Sequence, residues 1–118
     1  YRLVGLSYKV HNSLGYGHQE KVYQGAYEQE LIINNIVYKR EVYVPLEYNN
    51  TTIGKGFLDF LIDEKVIVEL KVAPTIIPIH LRQVLEYLRI TNHELAIILL
   101  FHKKGVYSKR ILNPHKLH

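Results

Sequence analysis

The chain contains no cysteine, methionine or tryptophan, and only four prolines among its 118 residues. Without cysteine it cannot form disulfides, thiolate zinc sites or iron–sulfur clusters, and it has no thiol nucleophile. No apolar run approaches the roughly 20 residues that span a bilayer, and no secretory leader opens the chain. We therefore expect a cytoplasmic protein with no membrane partner.

The residues that are present have the composition of an ordinary globular protein, with 47% hydrophobic and 22% charged side chains. The length predicts a single domain covering residues 1–118. Fifteen basic residues against eleven acidic ones give a formal net charge of +4. This mild excess favours a polyanionic partner such as nucleic acid.

The hydrophobic patterning predicts helices, then strands, then a helix, then strands. Helical spacing covers residues 3–14 and 18–33, and Pro78 suits the first turn of a third helix. Alternation predicts strands at 42–48, 57–62, 66–72 and 106–112, with Pro45 favouring a sheet edge. The apolar run 95–101 is typical of an interior strand covered on both sides. The predicted architecture is α+β, ααβββαββ, with one mixed sheet flanked by helices.

The predicted hairpin at residues 57–72 has a register that can be argued from polarity. A turn centred on Glu64 opposes three apolar pairs on one core face: Leu58 with Leu70, Phe60 with Val68, and Ile62 with Val66. The opposite face then sets Asp59 against Glu69, with Lys71 beside them. Two directly opposed carboxylates destabilise a sheet unless a cation compensates their charge. A divalent cation is the natural compensator.

The alternative is a solvated outer face, on which a lysine–carboxylate pair contributes less than about 1 kcal/mol. Against it, Asp59, Glu69 and Lys71 interrupt the most hydrophobic part of the chain. Carboxylates in such surroundings are costly and tend to mark functional sites.

These residues carry a family resemblance. The hairpin resembles the D…E-x-K signature of the PD-(D/E)xK nuclease superfamily, because Asp59 is followed after nine residues by Glu69-Leu70-Lys71. The segment from Gly17 to Tyr23 fits G-x-x-E-x-x-Y, the pattern of the GxxExxY family within that superfamily. The resemblance runs from residue 3 to about residue 112. It implies a restriction-endonuclease-like αβββαβ core, here with an extra N-terminal helix.

The resemblance also implies roles for individual residues. Asp59 and Glu69 would be metal ligands, joined by the backbone carbonyl of Leu70, while Glu20 would be an additional ligand or would hold a metal-bound water. Lys71 would orient the attacking water or stabilise charge on the phosphate. Oxygen donors without thiolates or clustered imidazoles suit Mg²⁺ or Mn²⁺.

Three further residues are implicated at the edge of this site. Gln83 and Tyr87 form a Q-x-x-x-Y pair, similar to a motif of the exonuclease-like branches, and would contact substrate. Tyr23 would support Glu20 and the substrate. Each has a plainer interpretation: Tyr23 and Tyr87 as packing residues, and Gln83 as a surface amide. Glu20 could equally be a favourable charge in the first turn of a helix.

Dispersed basic and imidazole groups give weaker signals. No H-E-x-x-H motif occurs among the seven histidines, although His18 and His80 fall close in sequence to Glu20 and Gln83. The C-terminal lysines and arginine form either a solvated edge or a set of phosphate contacts; they are Lys103, Lys104, Lys109, Arg110 and Lys116.

The expected function is that of a metal-dependent nuclease that hydrolyses phosphodiester bonds, with DNA favoured over RNA. The alternative is a catalytically silent module that keeps the fold and binds nucleic acid or protein. The sequence leaves open exo- versus endonuclease action, one metal ion versus two, and whether the chain forms a homo-oligomer.

Overall fold

The structure, a computed structural model, describes residues 2–116, so Tyr1, Leu117 and His118 lie outside it. Three helices and five strands follow the predicted order. They are α1 (Arg2–Leu14), α2 (Glu20–Ile33), β1 (Tyr38–Tyr48), β2 (Thr51–Ile62), β3 (Val66–Val72), α3 (Pro78–Thr91), β4 (Leu95–His102) and β5 (Gly105–Leu112). The predicted α+β class is confirmed.

The five strands form one mixed sheet in the order β1-β2-β3-β4-β5. Strand β3 runs parallel to β4, and the other neighbours are antiparallel. Helix α3 is the crossover that a parallel pair requires. Strand β1 lies at the edge, which confirms the placement of Pro45, and β4 lies inside the sheet with residues 96–101 buried.

Two apolar clusters cover the two faces of the sheet. On one face, Tyr23, Tyr27 and Leu31 of α2 pack with α1 against the sheet. On the other face, Val84 and Leu88 of α3 pack against side chains of β2, β3 and β4. Within the described residues, no helix is long and apolar enough to cross a membrane.

Strands β1 and β2 are longer than predicted and form an extended hairpin. Strand β1 begins at Tyr38 and β2 at Thr51, earlier than the predicted residues 42 and 57. Residues 51–56 contain two glycines, two threonines and a lysine, so they lack a clear apolar alternation. Their strand conformation comes from pairing with β1. This pairing continues beyond Tyr43 and Phe57 as far as Tyr48 and Thr51.

One predicted face assignment is wrong. The β2–β3 register is confirmed at Phe60 with Val68 and at Ile62 with Val66. Leu58, however, belongs to the cluster under α3, whereas Phe60 belongs to the cluster under α1 and α2. Side chains two apart share a face in a regular strand, so β2 is distorted between them. The β1–β2 ladder lacks a pair at the intervening Asp59.

The buried stripe of α3 also differs from the prediction. Leu85, expected in the core with Val84 and Leu88, is exposed, and Tyr87 takes a buried position in that cluster. Tyr87 presents its ring to the sheet because the strand beneath it contains a glycine at position 56, as described below.

Candidate active site

The carboxylates of Asp59 and Glu69 lie where β2 and β3 separate. Glu69 Oε2 accepts a hydrogen bond from the Asp59 backbone N–H at 2.6 Å, and Asp59 Oδ2 accepts one from the Leu70 N–H at 2.8 Å. The β2–β3 ladder ends at Phe60 and Val68. Each side chain therefore accepts a hydrogen bond from a backbone N–H that the β2–β3 ladder leaves free. Asp59 and Glu69 were expected to face each other directly across the strands; instead, each carboxylate binds the backbone of the opposite strand, an arrangement here called the interlocked pair.

Both carboxyl groups titrate at unusually high pH. Burial raises the pKa of Asp59 to about 6, opposed by the Leu70 hydrogen bond and reinforced by the charge of Glu20. Burial also raises the pKa of Glu69 to about 8, and the neighbouring Asp59 charge adds to this effect. Glu69 is only 2% exposed. Two buried acids in contact hold protons because, among residues 2–116, no cation fully compensates their charge.

Lys71 supplies positive charge to this pair. Its charge lowers the pKa of both Asp59 and Glu69. The Lys71 Nζ donates to Gln83 Oε1 at 3.1 Å, so β3 and α3 together hold the ammonium at the edge of the site. The fold thus brings together four of the residues that the sequence singled out, Asp59, Glu69, Lys71 and Gln83.

Tyr87 is held against the backbone of β2. A Cβ placed on Gly56 would lie 2.6 Å from the Tyr87 hydroxyl oxygen and 2.7 Å from Cε1, so only glycine permits this contact. Burial raises the pKa of Tyr87, the charge of Glu69 adds to this effect, and hydrogen bonds from the Phe57 backbone and Gln83 oppose it. Tyr87 is 5% exposed. Its hydroxyl therefore lies at the site while its ring is part of the core.

Glu20 approaches the pair from the first turn of α2. It lines a cleft of about 310 Å³ that also includes Gln24, Phe57 and Asp59. The Gln24 amide donates to Glu20 Oε1 at 3.4 Å, and Gln24 Oε1 accepts from Arg40 Nη2 at 3.4 Å. Gln24 also lowers the pKa of Asp59 through a hydrogen bond. Gln24 therefore links Glu20 to Asp59.

Tyr23 is placed away from this cleft. Its side chain is fully buried, its ring stacks on Phe101 at 4.5 Å, and its hydroxyl donates to the Gly15 carbonyl oxygen. The expected substrate contact from Tyr23 is therefore not available. The packing interpretation fits instead, since the side chain fixes the loop that leads from α1 to α2.

The two histidines close in sequence to the site have local structural contacts. The His18 Nε2 lies 2.9 Å from the Leu14 carbonyl oxygen. His80 Nδ1 accepts from the Ile77 N–H at 3.3 Å, in the first turn of α3. Burial lowers the pKa of His80, and the charge of Lys71 lowers it further, so this imidazole lies close to the ammonium.

The donor set fits a hard divalent cation. Asp59 and Glu69 present carboxylate oxygens beside the Leu70 peptide, and their raised pKa values mark a site that a cation would stabilise. Among residues 2–116, no three Asp, Glu or His side chains lie close enough together to hold an ion. Glu20 as a direct third side-chain ligand is therefore not observed. The alternative expectation, that Glu20 holds a metal-bound water, stays a prediction.

Sequence reasoning missed several residues of the site. Gly56 and Gln24 have no motif of their own, since their roles depend on contacts with Tyr87 and Glu20 across the fold. Glu41 lines the Glu20–Asp59 cleft and has a left-handed φ of 54°. Such a backbone conformation is uncommon outside glycine and tends to cluster at functional sites.

The mixed sheet, the crossover helix and the Asp59–Glu69–Lys71 set define a restriction-endonuclease-like domain. A family model of the PD-(D/E)XK nuclease superfamily matches residues 1–111. The chain belongs to the PD-(D/E)XK nuclease superfamily.

Solved structures share the fold. The crystal structure of SSO0001 is similar with a TM-score of 0.65 and 24% identity, covering 82% of this chain and 52% of that one. An alkaline exonuclease, LHK-Exo from Laribacter hongkongensis, is similar with a TM-score of 0.59 and 10% identity, covering 95% of this chain and 69% of that one. The chain thus spans about half the length of SSO0001. No curated protein sequence matches the chain.

Proposed function

We propose that this domain is a metal-dependent nuclease that hydrolyses phosphodiester bonds, with DNA favoured over RNA. The observation that carries the proposal is the interlocked Asp59–Glu69 pair with Lys71 beside it. Superfamily membership supports the same reaction class. The segment Gly17 to Tyr23 supports placement in the GxxExxY family, although Tyr23 acts as a packing residue.

Asp59, Glu69 and the Leu70 carbonyl would hold Mg²⁺ or Mn²⁺, and Glu20 would act through water from α2. When bound, the cation supplies Lewis-acid chemistry: it lowers the pKa of water and neutralises charge on the phosphate. Asp59 and Glu69 are fixed for this task because each is anchored to the backbone of the neighbouring strand. Anchored ligands need little reorganisation when the ion arrives.

Lys71 and its partners would act on the scissile phosphate. Water attacks phosphorus, the new P–O bond forms, and the bond to the leaving sugar oxygen breaks, with a proton passing to that oxygen. The Lys71 ammonium orients the water or stabilises charge on the phosphate, and Gln83 fixes its position. The Tyr87 hydroxyl, held by Gly56 and Phe57, contacts the substrate backbone.

The alternative is a catalytically silent module that binds nucleic acid or protein. Its support is that no third carboxylate or imidazole joins the pair within residues 2–116. The intact Asp59, Glu69 and Lys71 favour catalysis, since all three chemical groups of the signature are present.

The deciding experiment combines metal binding with cleavage. Calorimetric titration with Mg²⁺ and cleavage of labelled single- and double-stranded oligonucleotides are measured on the parent and on Glu69→Gln. We expect the parent to bind metal and cleave, and Glu69→Gln to lose both. A parent that binds oligonucleotide without cleaving it in Mg²⁺ or Mn²⁺ would establish the silent module.

A further inference from the structure

Two exposed aromatic rings lie on the β1–β2 hairpin beside the carboxylates. Tyr43 and Phe57 are directly opposed in the ladder, with ring centroids 5.8 Å apart and planes at 61°. Their side chains are 52% and 46% exposed. Large aromatic rings stabilise a fold chiefly by burial. The pair stabilises the hairpin by its mutual contact, and about half of each ring's surface stays open to a ligand.

This pair is continuous with the candidate active site. Phe57 lines the same cleft as Asp59 and Glu20, two positions before Asp59 in β2. The backbone of Phe57 is also fixed, because it hydrogen-bonds Tyr87. The ring is therefore held at one wall of the cleft rather than on a remote part of the hairpin.

The charged side chains around the two rings indicate which part of a nucleic acid could bind there. Lys55 Nζ lies over the Phe57 ring, 6.0 Å from its centroid, and Lys21 of α2 also lines the cleft. Glu41, in the same cleft, would repel a phosphate placed directly over the rings. A neutral base would avoid this repulsion on the exposed part of the rings, and the lysines would attract its flanking phosphates.

We propose that Tyr43, Phe57 and Lys55, here called the aromatic platform, bind an unpaired base of the nucleic-acid substrate by stacking. This proposal rests on the proposed nuclease function and narrows its substrate class to single-stranded or frayed nucleic acid. Base–aromatic stacking tolerates any sequence but needs an open base face. In an intact duplex, neighbouring base pairs cover both faces of each internal base.

The test uses fluorescence anisotropy with a labelled single-stranded oligonucleotide and a blunt duplex of the same sequence. Ca²⁺ replaces Mg²⁺ so that binding is separated from turnover. The variants are Phe57→Ala, Tyr43→Ala and Phe57→Leu, the last keeping apolar bulk without a π-face. Tyr48→Ala is the matched control, because Tyr48 is a tyrosine with 66% exposure that lies on β1, like Tyr43, but nearer the end of that strand. Melting curves check that every variant folds.

We expect Phe57→Ala to weaken single-strand binding on the order of tenfold. Phe57→Leu should weaken it by nearly as much, and Tyr43→Ala should weaken it less. Duplex binding and the Tyr48→Ala control should change little. In Mg²⁺, Phe57→Ala should lower kcat/KM for single strands, chiefly through a higher KM, and Tyr48→Ala should leave both constants unchanged.

The outcomes separate this proposal from the nuclease function. If the parent cleaves and Phe57→Ala behaves like Tyr48→Ala on single strands, the platform is wrong and the nuclease stands. If Phe57→Ala loses single-strand binding while the parent never cleaves, the platform stands and the nuclease function fails. A change in oligomeric state on Phe57→Ala without a change in oligonucleotide binding would overturn the platform in favour of a protein interface.

Discussion

Asp59 and Glu69 each hydrogen-bond the backbone of the opposite strand, so neither carboxylate can move without breaking a contact between β2 and β3. Phe60 and Val68 are the last ladder pair before this point. The two acids therefore hold the strands together where the ladder ends. This double task links the stability of the domain to the state of its candidate active site.

The first prediction concerns pH. Because burial raises the pKa of Asp59 to about 6 and that of Glu69 to about 8, the folded protein binds more protons than the unfolded chain above pH 4. These protons contribute to the free energy of unfolding. The contribution is complete below the ordinary carboxyl pKa and is lost as the pH rises to about 8. Urea unfolding in chelator should show a decline on the order of 5 kcal/mol between pH 5 and 8, most of it from Glu69.

Glu69→Gln isolates this effect, since the amide oxygen can still accept from the Asp59 N–H. The variant should have a much smaller slope of unfolding free energy against pH and should exceed the parent in stability at pH 8. Glu47→Gln, at an exposed position on β1, serves as a charge-matched control that keeps the parent slope. A parent whose stability rises from pH 5 to 8 would contradict the assignment.

The second prediction concerns metal. Mg²⁺ at 100 times its dissociation constant should stabilise the folded protein by about 2.7 kcal/mol, because it binds the folded ligand set. The rise in melting temperature should shrink on acidification as the carboxylates protonate. Glu69→Gln should show no metal-dependent shift. Parent melting curves that coincide in Mg²⁺ and in chelator at neutral pH would favour the silent module.

The third prediction concerns Gly56 and Tyr87. Gly56→Ala places a Cβ 2.6 Å from the Tyr87 hydroxyl, so it should destabilise the fold by about 1 to 3 kcal/mol. The cost should largely disappear in a Tyr87→Ala background, where the space is free. Denaturant unfolding of the four proteins of this cycle measures the coupling. Equal costs in both backgrounds would show that backbone effects, and not the Tyr87 contact, require glycine.

The fourth prediction contrasts two tyrosines. Tyr23→Phe removes a hydrogen bond to Gly15 and should lower stability by about 1 kcal/mol without changing cleavage at saturating substrate. Tyr87→Phe should lower the cleavage rate, on the order of 1 to 2 kcal/mol in activation free energy if its hydroxyl contacts the transition state. Equal losses of cleavage in the two variants would place Tyr23 in the active site.

Local patterns were sufficient to predict the element order and the meeting of Asp59 with Glu69. Helical spacing and strand alternation are properties of short segments, and the turn at Glu64 fixes the register of its hairpin. The face of Leu58 was predicted wrongly because strict alternation assumes an undistorted strand. The distortion lies beside Glu41, whose left-handed φ of 54° belongs to the neighbouring strand.

The remaining site residues depend on tertiary contacts. Gly56 matters only because Tyr87 lies over it, and Gln24 only because α2 brings it between Glu20 and Asp59. Glycine and glutamine are also common at exposed positions of strands and helices, so no sequence motif identifies these two as site residues. The exposure of Leu85 and the burial of the Tyr87 ring also depend on tertiary contacts, because the pattern of apolar residues along α3 does not reveal the space above Gly56.

The most direct test of the nuclease mechanism is the single-turnover cleavage rate of Lys71→Ala at saturating Mg²⁺, compared with the parent and with Lys65→Ala. Lys65 is an exposed lysine in the β2–β3 turn, and its replacement controls for loss of one positive charge. Lys71→Ala leaves Asp59 and Glu69 in place, so it should retain metal binding and most oligonucleotide affinity while losing most of the cleavage rate. If Lys71→Ala cleaves as fast as Lys65→Ala under these conditions, the mechanism proposed for this site is wrong.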